Sequence, residues 1–223
     1  MGLVNMFNNK ATIYEVFITN EIFSISNYID LVEDSINIRH TNYKAEILKK
    51  EPDIESDLLK YTDPLHKEFN MIFRYSLLII IHSFLEEKII ELCEENTDEN
   101  KYKTKWESFK KNKKNKNDNK NKAKDNSTLE NSRCFIKEEL KRNFPEKNDA
   151  WTKIKDVNLI RNCLVHCGGY VYRDRNPHRV EKAINQIDGI YIGAYNKIVI
   201  EKEFCSNYLR TINEFLSDLY KNY

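Results

Sequence analysis

The sequence contains no apolar run long enough to span a membrane. The longest run, from Tyr75 to Leu85, is interrupted by His82 and bounded by Arg74 and Glu86. It falls well short of the roughly 20 residues that a transmembrane helix needs. The first residues also lack the basic, then apolar, then small-residue order of a secretory signal. We therefore expect a buried helix at this run and no membrane partner.

The sequence also lacks the paired cysteines of disulfide-rich or zinc-binding domains. Its five cysteines are an odd number and form no CxxC pair, which indicates a reducing compartment, the cytoplasm. Cys163, His166 and Cys167 are close enough in sequence to share part of a helix surface, so a thiolate metal site has to be considered there. No second ligand pair with matching spacing occurs, and structural zinc usually has four protein ligands. We therefore predict no metal site and no cofactor.

Charge is nearly balanced over the whole chain but concentrated in one segment. The formal net charge is +1, yet residues 101–125 contain eleven Lys and three acidic residues, an excess of eight positive charges. The stretch from Lys110 to Asn126 is Lys/Asn low complexity whose one apolar residue is Ala123. Such a composition has too little apolar surface to order itself. We predict a flexible loop inserted at about residues 101–127.

Two functions are open to this loop. It is either a passive, solvated insertion or a cationic arm that collects a polyanion such as RNA. The passive alternative is favoured because no aromatic residues alternate with the lysines to stack on bases. In the second case the candidate RNA-binding residues are Lys110, Lys111, Lys113 and Lys114.

Outside this insertion the apolar spacing is helical. Apolar residues recur at three and four positions in residues 14–36, and residues 65–93 are apolar enough for a helix buried on most sides. Capping signals predict two further helices, one from Ser127 or Thr128 to just before Pro145, and one from Asn148 or Asp149 to Gly168. Alternating isoleucines predict a β-hairpin, with strands at residues 190–192 and 198–200 around a turn at 193–196, before a last helix over 202–220. The sequence thus predicts one mainly α domain over residues 1–223.

The segment LIRNCLVHCGG, residues 159–169, combines three polar side chains at the end of a predicted helix. At about 100° per residue, Asn162 and His166 share one face, whereas Arg161 is displaced by roughly 140° from His166 and needs its long side chain to reach it. The planar guanidinium of Arg matches the geometry of phosphate oxygens, and His can give and take a proton near neutral pH. The group therefore suits a phosphodiester. In the structural alternative, Arg161 pairs with a core carboxylate such as Glu86 and His166 caps the helix.

The motif RNCLVH followed by CGG, on the last turns of a helix in a helical protein, resembles the HEPN superfamily. Active HEPN nucleases carry Arg, four to six residues and then His, often with Asn after the Arg. Residues 74–93 also resemble the long second helix of uncharacterised bacterial members, with an acidic residue at Glu86. The Tyr that some members carry two residues after the His is replaced by Gly168 here, so the tyrosine adenylylation that neutralises those members is not predicted.

The resemblance implies an antiparallel helical bundle, a two-fold homodimer and metal-independent cleavage of RNA. It assigns catalytic roles to Arg161, Asn162 and His166 and a supporting role to Glu86, in a ribonuclease of the toxin or phage-defence kind with a possible antitoxin or defence-system partner. The alternatives are a catalytically silent HEPN-like module that binds RNA, nucleotide or protein, and an unrelated helical scaffold.

Cleavage by the neighbouring 2′-OH requires both a general base and a general acid, whereas one chain supplies one motif histidine. We expect a two-fold axis to place the two copies of His166 on opposite sides of one scissile phosphate. Both copies of Arg161 would then bind its oxygens, and Asn162 would orient the histidine or the phosphate. The expected products are a 2′,3′-cyclic phosphate and a 5′-OH.

Overall fold

A computed structural model describes residues 14–52, 64–94, 105–112 and 127–221. A π-helical turn at Tyr14–Ile18 leads into α1. The helices are α1 (Thr19–Lys50), α2 (Pro64–Glu94), α3 (Thr128–Glu138), α4 (Asp149–Cys167), α5 (Pro177–Ile184) and α6 (Phe204–Lys221). The strands are β1 (Ile190–Ile192) and β2 (Ile198–Ile200), and 3₁₀ turns lie at Val171–Arg173 and Ala194–Asn196. The predicted mainly α fold with a C-terminal hairpin is confirmed.

Local capping chemistry sets the ends of the predicted helices. The Asn148 side chain accepts a hydrogen bond from the Ala150 N–H at 3.1 Å and starts α4. The Ser127 hydroxyl accepts one from the Glu130 N–H at 3.3 Å and starts α3. Both starts match the prediction, because N-caps depend on residues two or three positions away.

Helix α3 ends earlier than predicted. It stops at Glu138 instead of continuing to Phe144, and the chain reverses through Lys141 at a φ of 54°. This reversal allows the Phe144 ring to pack 4.9 Å from Trp151 and 5.6 Å from Phe215. Burial of an aromatic ring outweighs continuation of an exposed helix, and the sequence pattern does not reveal that contact. Helix α5 was not predicted at all, although Pro177 occupies a favourable first position.

Ion pairs and hydrogen bonds fix the helix directions. Glu21, near the start of α1, pairs with Lys88 near the end of α2 at 2.9 Å, and Glu33 pairs with Arg74 earlier in α2 at 2.8 Å. Helices α1 and α2 are therefore antiparallel.

Helix α6 runs parallel to α2 instead. The Tyr220 hydroxyl donates to the carbonyl of Lys88 at 3.2 Å, and Cys205 Sγ lies 3.8 Å from the carbonyl of Arg74. Helix α4 is antiparallel to α6, because Asn148 at its start donates to Asp218 near the end of α6 at 3.1 Å. The four long helices thus alternate in direction along the chain, as in an up-down-up-down bundle.

The core lies between α2, α4 and α6. Its fully buried side chains include Leu77, Leu78, Ile81, Leu85, Ile89, Ile154, Val157, Ile160, Tyr208, Ile212, Phe215 and Leu216. The run from Tyr75 to Leu85 lies within α2, as predicted. In the part of the chain that the structure describes, no helix is long and apolar enough to cross a membrane.

The hairpin packs against the same core. Its strands are antiparallel, with Ile190 opposite Ile200 and Ile192 opposite Ile198. Positive φ angles of 57° and 58° at Tyr195 and Asn196 close the turn, the conformation that two-residue hairpin turns require.

Part of the predicted flexible loop is helical. Residues 105–112 form a helical segment, and Trp106 is fully buried with its ring 5.1 Å from that of Phe135. The ammonium of Lys110 lies 4.9 Å from the Trp106 ring centre, and Lys111 is exposed on the same segment. The prediction of a flexible loop from residue 101 onward is therefore wrong for this segment, because its aromatic side chains provide the apolar surface that the lysines lack. The other candidates, Lys113 and Lys114, lie outside the described residues.

Candidate functional site

The double glycine of the motif ends α4. Gly168 has a φ of +62°, the left-handed conformation of a helix C-terminus, and the Gly169 N–H donates to the Cys163 carbonyl at 3.3 Å. Gly169 has a φ of +80°, and a Cβ atom there would lie 2.6 Å from the hydroxyl oxygen of Tyr75. Gly168 is required by the backbone angle, whereas Gly169 is required by both the angle and the close approach of α2.

The end of α4 is held against α2 and the hairpin. The Gly169 carbonyl accepts a hydrogen bond from the Ile198 N–H at 2.9 Å, and the Tyr75 hydroxyl donates to the Ile198 carbonyl. Tyr170 continues this pairing through a bridge to Lys197. The last turn of α4 therefore has a fixed position, which is what a site built on it needs.

Arg161 turns toward the bundle. Its guanidinium donates to Asn162 Oδ1 at 3.1 Å and lies 3.9 Å from Glu86 Oε2 on α2. Both charged side chains are largely buried, 22% exposed for Arg161 and 19% for Glu86. Arg161 Nε is buried and makes no hydrogen bond in the described part of the chain. One half of the structural alternative is present, since Arg161 lies beside Glu86, although 3.9 Å is long for an ion pair and no bidentate hydrogen bond forms. For the other half, the described residues show no hydrogen bond by which His166 would cap α4.

Two polar side chains of α2, Glu86 and His82, lie within reach of the Arg161 charge. Burial raises the pKa of the Glu86 carboxyl, and the Arg161 charge opposes that rise. His82 is completely buried, with Nδ1 2.8 Å from the Tyr208 hydroxyl. Burial, reinforced by the Arg161 charge and opposed by Asn158, lowers the pKa of His82 to about 4. The sequence singled out His82 as an interruption of an apolar run but not as a neighbour of Arg161.

His166 faces the opposite way. It is exposed on the last turn of α4 and makes no hydrogen bond or ion pair within the described residues. The structure therefore brings Arg161 together with Asn162 and Glu86, but not with His166. Within a single chain, the free imidazole and the part-buried guanidinium do not form one hydrogen-bonded site.

Apolar side chains are exposed on both α2 and α4. Tyr75 of α2 contacts Gly169 just after α4, whereas Glu86 lies by Arg161, so α2 and α4 are antiparallel. The section of α2 between these contacts therefore lies at the level of His166 along the bundle. Large apolar side chains are exposed on both helices: Ile80 in this section of α2 (44%), Phe69 and Ile72 before it (49% and 60%), and Val165 next to His166 in α4 (46%).

The described lysines of the basic segment are remote from this end of the bundle. The Lys110 charge acts on the Cys93 thiol, close to the C-terminal end of α2. From Tyr75 to Cys93 an α-helix rises about 27 Å at 1.5 Å per residue. Lys110 and Lys111 thus do not contribute to the surface around His166 within one chain.

Two motif cysteines and an aspartate form a second cluster. Cys163 Sγ, Cys167 Sγ and a carboxylate oxygen of Asp174 all lie within 4.8 Å of one another. The sequence suggested His166 as the third member of such a cluster, whereas the structure supplies Asp174. No spacing rule indicated this residue, because the chain reaches it through a 3₁₀ turn after the two glycines.

Comparisons with protein-family models, curated proteins and solved structures found no match for this chain.

Proposed function

We propose that this chain is a metal-independent endoribonuclease that acts as a homodimer, with His166, Arg161 and Asn162 as its catalytic residues. The observation that carries the proposal is the exposed imidazole of His166 on the last turn of α4, one turn beyond Arg161 and Asn162, with no hydrogen-bond or ion-pair partner among the described residues. An exposed His in this position is available to a substrate. The resemblance of the motif to HEPN nucleases gives the substrate class, RNA.

Exposed apolar side chains on α2 and α4 support a dimer. Phe69, Ile72 and Ile80 on α2 and Val165 on α4 are large side chains left 44% to 60% exposed. Large apolar side chains left on a protein surface are typical of an interface where they adjoin. A two-fold axis beside Val165 and His166 would bring the two copies of His166 near each other, and one surface would then serve both chains.

The proposed reaction is attack of a ribose 2′ oxygen on the adjacent phosphorus. His166 of one chain takes the 2′-OH proton, the O2′–P bond forms, and the P–O5′ bond breaks. His166 of the partner subunit gives a proton to the leaving 5′ oxygen. Each Arg161 turns outward from its 3.9 Å contact with Glu86 to hold the charge that develops on the phosphoryl oxygens.

The test is purified protein on total RNA in the presence of EDTA, with analysis of product ends. We expect 2′,3′-cyclic phosphate and 5′-OH ends. His166→Ala should lower the rate by about 10² to 10⁴, and Arg161→Lys should fail too because an ammonium cannot make the bidentate phosphate contact.

His178→Ala, which removes an exposed histidine from α5, is the matched control and should cleave normally. Equal cleavage by the wild type and His166→Ala would contradict the proposal. Circular dichroism in the same buffer checks the fold.

A second candidate is a silent module that binds RNA without cleaving it. It is favoured by one observation, the engagement of the Arg161 guanidinium with both Asn162 and Glu86. The same experiment separates the two candidates. RNA that stays intact but binds the wild type more tightly than an Arg161→Ala variant would support the silent module.

The cytoplasm is the proposed compartment, in keeping with five free thiols. An antitoxin or defence-system partner belongs to the same proposal.

A further inference from the structure

The end of α4 carries three metal-binding side chains that the proposed cleavage does not use. Cys163 and Cys167 lie one turn apart on the helix, and the chain returns past them at Asp174, with the three donor atoms within 4.8 Å of one another. In a tetrahedral zinc site with Zn–S bonds of about 2.3 Å, two sulfurs are separated by about 3.8 Å. The observed cluster therefore needs movements of about one ångström or less, which side-chain rotation supplies.

The backbone that carries these donors is fixed from both sides. The Tyr170 N–H donates to the Cys167 carbonyl at 3.2 Å, and the Asp174 N–H donates to the Val171 carbonyl at 3.0 Å. One Asp174 oxygen accepts from the Asn176 N–H at 2.8 Å, which holds the carboxylate in place. A donor set on rigid backbone loses little conformational entropy when a metal binds.

Within the described part of the chain, no cation is paired with the cluster, and solvent can reach it. Among the described residues, no basic side chain forms an ion pair with Asp174. Cys163 is buried, whereas Cys167 and Asp174 are half-buried, so an ion can enter from the solvent side.

We propose that Cys163, Cys167 and Asp174 bind one zinc ion, which clamps the segment around Asp174 to the C-terminal end of α4. Two thiolates and one carboxylate are ligands that zinc accepts, whereas calcium and magnesium take oxygen ligands alone. Water fills the fourth position. The clamp lies beside His166 in sequence and stiffens the turn that carries it. It is independent of whether the chain cleaves RNA.

The test is titration of the full chain with Co²⁺ in a buffer containing a phosphine reductant. We expect one equivalent to produce a thiolate-to-cobalt charge-transfer band and the intense visible bands of tetrahedral cobalt, both removed by Zn²⁺. A hundred-fold excess of Zn²⁺ over its Kd should raise Tm by about 5 to 10 °C.

Two variants and a control make the assignment specific. Cys167→Ser and Asp174→Asn change half-buried residues, so both should fold; the first should abolish the charge-transfer band and the second should weaken Co²⁺ binding at least tenfold. Cys134→Ser on α3 should leave the titration unchanged. A wild-type chain without the band, or a Cys167→Ser variant with the full band, would overturn the proposal. A chain whose mass falls by two hydrogens in air, and which binds no cobalt after reduction, would also overturn the proposal. Cys163 and Cys167 would then be a redox pair.

Discussion

At the residue scale, His82 shows what the bundle does to a titratable side chain. Its imidazole is completely buried beside the Tyr208 hydroxyl at 2.8 Å, and the part-buried Arg161 adds a positive charge nearby. Burial and this charge both disfavour the imidazolium, which lowers the pKa of His82 from 6.5 to about 4. His82 is therefore neutral at pH 7 and unable to act as an acid there.

This buried imidazole predicts acid-sensitive stability. Between pH 6.5 and pH 4 the unfolded chain binds a proton at His82 that the folded chain does not, so the free energy of unfolding falls as the pH falls through this window. The loss is about 3 kcal/mol, and the full stability is present above pH 6.5.

Urea unfolding at several pH values measures the effect. His82→Gln, which does not titrate, should lose about 3 kcal/mol less than the wild type over the same window. Tyr208→Phe should keep the wild-type slope, because burial of the imidazole is the largest cause of the lowered pKa of His82. Parallel pH profiles for the wild type and His82→Gln would mean that the pKa of His82 is the same in the folded and unfolded chains, which would contradict this prediction.

At the element scale, the C-terminal end of α4 depends on two glycines with different tasks. Gly168 needs a left-handed angle but has room for a methyl group, with its nearest neighbour Tyr170 3.8 Å from a built Cβ. Gly169 needs its angle and also a gap for Tyr75, whose hydroxyl oxygen would lie 2.6 Å from a Cβ. The second glycine therefore joins α4 to α2.

Alanine substitutions should separate these tasks. We expect Gly168→Ala to lower the free energy of unfolding by about 1 kcal/mol, the cost of a left-handed alanine. Gly169→Ala should cost about 2 to 4 kcal/mol, because the strain of the backbone adds to displacement of the Tyr75 ring. Chemical unfolding of both variants measures the difference. Similar losses would mean that Tyr75 moves aside without cost.

At the scale of the whole molecule, the division between Arg161 and His166 has a consequence for activity. Arg161 lies toward the bundle at 3.9 Å from Glu86, while His166 is exposed. One chain thus offers one free imidazole at the motif, and the proposed reaction needs two. The proposed active site accordingly belongs to the dimer.

A mixed dimer tests this arrangement. A heterodimer of the wild type and His166→Ala, purified through two different tags, keeps one imidazole for each scissile phosphate and should cleave RNA far below half the wild-type rate. The control is a heterodimer of the wild type and His178→Ala, which should retain full activity. A rate near one half in the first heterodimer would mean that each chain holds a complete site.

The amino-acid sequence by itself determined the secondary structure around the motif. The Asn148 cap, the stop at Gly168 and the hairpin from Ile190 to Ile200 all match the prediction. Caps, turns and periodicity depend on residues a few positions apart, so the chain encodes them locally. Residues 105–112 are helical, although their composition predicts a flexible loop, because Trp106 is buried against Phe135. This contact joins parts of the chain that are distant in sequence.

Only the tertiary structure decided the surroundings of each candidate side chain. The sequence offered Glu86 as one possible partner of Arg161, and the antiparallel packing of α2 and α4 made it the actual one, while leaving His166 exposed. It also brought Asp174 to Cys163 and Cys167. These contacts join residues that are distant in sequence or separated by a turn of unpredicted shape. They follow from which helix faces are buried together, and periodicity within one helix does not specify its neighbour.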